Sequence, residues 1–162
     1  VDLWGFGPTR GAASALPVPS PWTRIAVEGS KARRLANVAL DFSGIAKGFA
    51  VDAVAAALRA LGVAHFLVEI GGELRGDGIK PDIQPWWVDV EAPPGLTVPT
   101  LRVALSNLAV ATSGDYRRFR VEDGARLSHS IDPATAAPIR EGVASVTVPE
   151  QLPYASGEET CR

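Results

Sequence analysis

The chain is poor in several features that would place it quickly. It has one cysteine, Cys161, next to the C-terminus, so no internal disulfide can form. It has no methionine, not even at position 1, and no signal peptide. No run of about 18 apolar residues is present, which excludes a transmembrane helix. The formal net charge is −2, so no excess of one sign points to nucleic acid or a membrane surface. There is no internal repeat. What remains is ordinary: 162 residues, 46% hydrophobic and 21% charged, enough for one domain with a real core. The chain opens on Val1 in an apolar context, as a processed or truncated chain would.

The most informative stretch runs from Asp41 to Gly62 and reads D-F-S-G-I-A-K-G-F-A-V-D-A-V-A-A-A-L-R-A-L-G. A polar-glycine corner leads into an alanine-rich apolar segment with helical spacing, predicting a helix over about 44–61. Asp41 or Ser43 suits its N-cap, and Gly62 suits the left-handed C′ position. Only Lys47, Asp52 and Arg59 are charged, so the helix is expected to be mostly buried, with Phe49, Val54 and Leu58 inside. A glycine-rich helix start with a lysine one turn in is also an anion site, because amide donors, dipole and ammonium act together. A buried helix with a capped start and a snorkelling lysine explains the same residues.

Strands are expected at 24–28, 35–41, 64–70, 86–90, 101–105, 109–111, 117–122, 125–131 and 143–148. A basic turn, 29–34, would join the first two, and Asp123-Gly124 is a strong hairpin signal. Segment 76–85 reads as a turn-rich loop, and 149–162 as an irregular tail. One helix among mainly antiparallel strands gives an α+β fold with sheet packed on one long buried helix.

Four glycine or hydroxyl corners follow strand-like runs: Ser43-Gly44 with Lys47, Gly71-Gly72-Glu73, Thr112-Ser113-Gly114-Asp115, and Ser128-His129 with Asp132-Pro133. A diglycine lets a ligand approach the backbone. The Thr112–Asp115 corner suits a phosphate cradle. His129 with Asp132 suits a general base with an orienting carboxylate. Asp-Pro and Asp-Gly are also plain turn formers, and a lone histidine at a strand end is often structural.

The order of these segments resembles the ApbE family, the FAD:protein FMN transferases. D-F-S-G-I-A-K-G-F-A-V-D, E-I-G-G-E, A-T-S-G-D-Y-R-R, S-H-S-I-D-P-A-T and S-V-T-V follow one another as in that family, from about Val1 to Val148. The resemblance implies an ApbE-like, T-fold-like core over 1–148 with 149–162 as a separate tail. It implies an enzyme that transfers the FMN moiety of FAD to a serine or threonine hydroxyl of a target protein, releasing AMP. FAD and Mg²⁺ are the implied cofactors, and an exported or membrane-anchored cell-envelope setting is the implied location. An FAD pyrophosphatase yielding FMN and AMP is the rival within the same chemistry. A non-catalytic flavin-binding remnant is the rival outside it.

Carried over by residue, Asp41 and Lys47 would contact FAD, and the Gly44 carbonyl would be one metal ligand. Gly71, Gly72, Thr112, Ser113 and Gly114 would line the flavin cleft. His129 would be the catalytic base, with Asp132 and Thr135 beside it and Lys47 stabilising charge on the reacting phosphate. His129, Ser113-Gly114 and Lys47 are then expected to converge on one cleft. Departures from the family pattern are Ser43 for a glycine, Ser130 for an aliphatic residue, and Ala134 and Ala136 for the arginine and glycine of D-P-R-T-G. After S-V-T-V the family's A-D-A-x-x-T, whose Asp and Thr complete the magnesium site, is replaced by P-E-Q-L-P-Y. The expectation is a central portion of the domain that binds Mg²⁺ weakly and turns FAD over slowly.

Overall fold

The computed structural model describes residues 22–38, 40–139 and 144–151. Residues 1–21 and most of the tail lie outside them. The described chain divides into two compact units, one from within 22–43 and 117–139, the other from 44–116 and 144–151.

The second unit holds the helix. Helix α1 spans Ala46–Ala60 and ends as its sequence requires. Gly62 takes φ +82, its N–H donates to the Arg59 carbonyl, and the Val63 N–H donates back to Leu58. Two otherwise orphaned carbonyls are satisfied by this left-handed ending. The start differs from expectation. Ile45 is the N-cap residue and makes no side-chain cap bond. Asp41 Oδ1 instead accepts from the Ser43 N–H at 2.8 Å, closing the turn before the helix.

Strands β3 (Phe66–Ile70) and β4 (Glu73–Asp77) form a hairpin around Gly71-Gly72. β7 (Leu108–Gly114) pairs with β4, and β12 (Ser145–Gln151) pairs with β7. The result is a four-stranded antiparallel sheet in the order β12-β7-β4-β3. Pro149 lies inside β12, so the start of the supposed tail is strand; β12 is an edge strand, where a missing N–H is tolerated. A second hairpin, β5 (Trp86–Val90) with β6 (Leu101–Leu105), carries the cross-strand pair Asp89–Arg102.

The fold class is as the sequence reading has it: one helix and mainly antiparallel strands. The burial of the helix is not. Val51 and Ala55 are buried against Phe66 and Val68, with Leu58 and Ile70 packed partly against them. Phe49 is 75% exposed and Val54 42%. A helix lying on one face of a sheet buries a single stripe at i, i+4, i+7 spacing, whatever the composition of its other faces.

A ladder of ion pairs runs beside that stripe. Lys47 pairs with Glu73, Asp52 with Arg75 and Arg59 with Asp77, so α1 runs alongside β4 in the same direction. Arg75 is 8% exposed and Asp77 2%. The sequence reading assigns no strand here and places Gly76 and Asp77 in a loop, because the inward side chains of E-L-R-G-D are charged.

The first unit is a set of hairpins. β1 (Ile25–Glu28) pairs with β2 (Lys31–Arg34) around Gly29-Ser30. The expected basic turn at 29–34 is therefore mostly strand, and the expected strand at 35–41 is not: its described residues are bends and coil. Gly29 at φ +58 closes a two-residue turn, which puts the basic residues opposite β1. β8 (Phe119–Glu122) and β9 (Ala125–Ser128) form the expected hairpin, with Asp123 at φ 49 and Gly124 at φ 74. β10 (Ile131–Asp132) and β11 (Ala137–Pro138) enclose a tight turn.

Candidate functional site

The second unit gathers several candidate residues at one edge of its sheet. Lys47, in the first turn of α1, places Nζ 2.8 Å from the Gly71 carbonyl and 2.5 Å from Glu73 Oε2. Gly71 and Gly72 both have positive φ, at 58° and 93°, and the Gly72 N–H donates to Glu69 Oε1 at 3.1 Å. β4 and β7 pair Leu74 with Val110 and Arg75 with Ala109. Continuing that register sets Gly72 level with Thr112. Lys47, the diglycine turn, and Thr112, Ser113 and Gly114 thus share one end of the sheet, where the helix N-terminus also lies. Gly44 is exposed in the turn just before it.

The Thr112–Gly114 segment is not the loop corner expected of a phosphate cradle. All three residues lie in β7, opposite Thr147, Val146 and Ser145. The Thr112 hydroxyl is 2.9 Å from that of Thr147. Gly114 lies under the Tyr116 ring, where a Cβ would come within 2.5 Å of a ring carbon. Its lack of a side chain makes room for that ring.

Lys47 is the cation that the structure places at this end of the sheet. An ammonium has three N–H donors. Gly71 and Glu73 engage two, and the side chain is 43% exposed. Sequence reasoning missed Glu73, the acid that holds this ammonium beside the turn, although it is the last residue of the E-I-G-G-E motif. Gly71 is where this geometry is most sensitive. A Cβ there would sit 3.1 Å from Lys47 Cδ on a left-handed backbone. Gly71→Ala is expected to destabilise the protein by roughly 1–2 kcal/mol, as urea denaturation would show.

In the first unit, His129 Nδ1 lies 3.1 Å from the Arg118 carbonyl. A carbonyl only accepts, so Nδ1 donates and Nε2 carries the basic lone pair. Both Asp132 carboxylate oxygens accept within its own turn. Its Oδ1 accepts from the Ala134 N–H at 2.9 Å and its Oδ2 from the Thr135 hydroxyl at 3.1 Å. Its carbonyl accepts from the Ala136 N–H. Asp132 and Thr135 are brought together, as partners within the turn between β10 and β11. No sequence pattern announces the Arg118 carbonyl, since every residue has one.

Asp41 is exposed, and its carboxyl is held below the usual range chiefly by the Ser43 hydroxyl. A folded-state pKa below the unfolded one contributes stability above the unfolded value and loses it as pH falls through the folded value. Asp41→Asn is therefore expected to flatten the acid limb of the stability profile below about pH 4, as thermal melts across that range would show.

The family model for the ApbE family matches residues 1–157. An FAD:protein FMN transferase of Haemophilus influenzae is 38% identical over 164 residues, covering 91% of this chain and 47% of the relative. One from Vibrio cholerae is 38% identical over 159 residues, with the same coverages of 91% and 47%. Among solved structures, the apo flavinyl transferase ApbE of Pseudomonas stutzeri matches with a TM-score of 0.76 and 40% identity, over 93% of this chain and 49% of that one. The chain spans about half the length of the curated relatives it matches. Motif order, an antiparallel sheet on one helix and these likenesses agree: the chain belongs to the ApbE family.

Proposed function

We propose that this chain carries part of a site that transfers the FMN moiety of FAD to a serine or threonine hydroxyl of an acceptor protein, in a cell-envelope setting. The observation that carries this reading is the grip of Lys47 on the diglycine turn. It fixes a cation with a spare N–H donor at a helix N-terminus, where a diphosphate would be bound. Gly72 leaves the backbone open to close approach.

The acceptor hydroxyl oxygen forms a bond to the FMN phosphorus as the bond from that phosphorus to the AMP oxygen breaks. The family resemblance gives the hydroxyl proton to His129, whose basic nitrogen in the tautomer set by Arg118 would be Nε2. Lys47 offsets charge on the phosphate oxygens as it builds. Asp132 and Thr135 would hold the 132–136 turn beside the base rather than take part in proton transfer.

The family resemblance implies Mg²⁺ with the Gly44 carbonyl as one ligand. Among the described residues, no three His, Cys, Asp or Glu side chains are grouped to hold a metal ion. Mg²⁺ takes near-octahedral oxygen coordination anchored by a carboxylate or two. The Gly44 carbonyl is the one ligand the resemblance supplies among the described residues, and every step above rests on the protein's own groups.

Incubation with FAD, Mg²⁺ and an acceptor peptide tests the reading. Flavin fluorescence bound covalently to the peptide, with AMP released, supports it. Free FMN in place of the adduct identifies a pyrophosphatase, and flavin binding without either product identifies a binding remnant. Lys47→Ala is expected to weaken FAD binding by roughly 10–100-fold, the loss of one charged hydrogen bond. Unchanged affinity would remove Lys47 from the site.

A further inference from the structure

The opposite end of the β3–β4 hairpin carries a cavity that the transfer reaction does not use. His65 precedes β3 and Ile79 follows β4, so the length of β3, roughly 17 Å of strand, separates this end from the Gly71-Gly72 turn. The cavity is about 360 Å³ and is lined by His65, Ile79, Lys80, Pro81, Ile83 and Trp86. We propose that it is a binding site for a small aromatic anion, a single ring bearing a carboxylate or phosphate.

The argument rests on what each lining group still offers. The Trp86 indole N–H donates to the Asp77 carbonyl at 3.0 Å, so the ring presents its face and not its donor. Ile79, Pro81 and Ile83 add apolar surface. A planar apolar group fits such walls. The polar groups are donors. The Ile79 N–H donates to His65 Nδ1 at 3.0 Å, which places the ring proton on Nε2. The Lys80 ammonium stands 5.9 Å from the Trp86 ring centroid, and no described carboxylate pairs with it. Of the acids nearby, Asp77 is buried against Arg59 and Arg75, and Asp82 Oδ1 accepts from the Gln84 N–H. A cation and an N–H beside an aromatic face, with no carboxylate in the lining, select an anion.

The loop is built to keep this shape. Gly78, at φ +62, lies so close to His65 that a Cβ would come within 2.2 Å of Nδ1. The Lys80 N–H donates to the Gln84 carbonyl, and the Ile83 N–H to the Lys80 carbonyl. Ile83 sits at φ 63 with its side chain 78% exposed. A β-branched residue in that region is a rare outlier, and outliers of this kind concentrate at ligand sites.

The test titrates the chain with phenyl phosphate and with benzoate, read by saturation-transfer NMR and tryptophan fluorescence. Inorganic phosphate and cyclohexanecarboxylate serve as controls. At least one aromatic anion is expected to saturate with a Kd of about 1 mM or tighter, and both controls to bind at least about tenfold more weakly. Which aromatic anion binds better distinguishes phosphate from carboxylate. Lys80→Ala, checked for folding by circular dichroism, is expected to weaken binding about tenfold, and Lys47→Ala to leave it unchanged. Absence of saturation, equal binding of a control, or indifference to Lys80→Ala would overturn the proposal. So would loss of binding in Lys47→Ala, which would move the ligand to the diglycine end.

Discussion

His129→Ala, in a full-length ApbE protein carrying this segment, is expected to lower turnover by roughly 10²–10⁴-fold while leaving FAD affinity nearly unchanged. The expectation follows from the hydrogen bond to the Arg118 carbonyl, which fixes the tautomer and makes Nε2 the basic nitrogen. Removing the imidazole removes the proposed proton acceptor. Single-turnover rates with a peptide acceptor, beside a flavin titration, separate the two effects. Weaker FAD binding with an unchanged rate would show a structural residue. Asp132→Asn provides the contrast. It keeps an acceptor oxygen for the turn, so it should cost far less activity than loss of the histidine.

The largest stability effect is expected at Asp77. Its side chain is 3% exposed, and it is held by charge, with Arg59 and the Arg75 Nε at 3.7 Å facing its two oxygens. Neither oxygen has a partner in hydrogen-bond geometry. Asp77→Ala strips the buried anion from two guanidiniums and leaves Arg75 only the exposed Asp52 as partner, beside a small void. Breaking a buried pair from one side costs about 3–5 kcal/mol. Arg59 is 37% exposed, so its half of the network is partly screened and most of the loss falls on Arg75. Urea unfolding should show the midpoint falling with the slope unchanged. A loss below about 1 kcal/mol would mark a solvated, surface-like network. A double-mutant cycle with Arg75→Ala should return a coupling of roughly 0.5–3 kcal/mol.

Asp77 also shows where the sequence stops being readable. Gly62 and Asp123-Gly124 could be placed from sequence because left-handed backbone strongly favours glycine and short polar residues there. Trp86–Val90 and Leu101–Leu105 match their runs of β-branched and aromatic residues. β4 could not be read, since a strand that buries Arg75 and Asp77 has no apolar alternation, and their partners lie on α1. Alternation misled at 35–41 for the opposite reason: the pattern was present, but the tight Gly29-Ser30 turn had already given β1 its partner in the basic segment. At the candidate site, the diglycine and lysine were visible as residue types. The acid that holds Lys47 and the carbonyl that orients His129 were not, because one is a tertiary contact and the other belongs to the backbone.

The pairing of β4 with β7 has a consequence for how the chain reaches this structure. α1, β3 and β4 are consecutive, and their contacts close over short loops. β7 joins β4 only after the whole β5–β6 hairpin has been spanned, and β12 joins β7 across the segment that forms the first unit's later hairpins. Loop closure is an entropic cost that must be met before such contacts return anything, and distant pairings slow folding accordingly. The helix and the diglycine hairpin, with Lys47 on Gly71, are therefore expected to assemble early. The β7–β12 edge completes late. Substitutions along that edge should quicken unfolding while leaving the refolding rate nearly untouched.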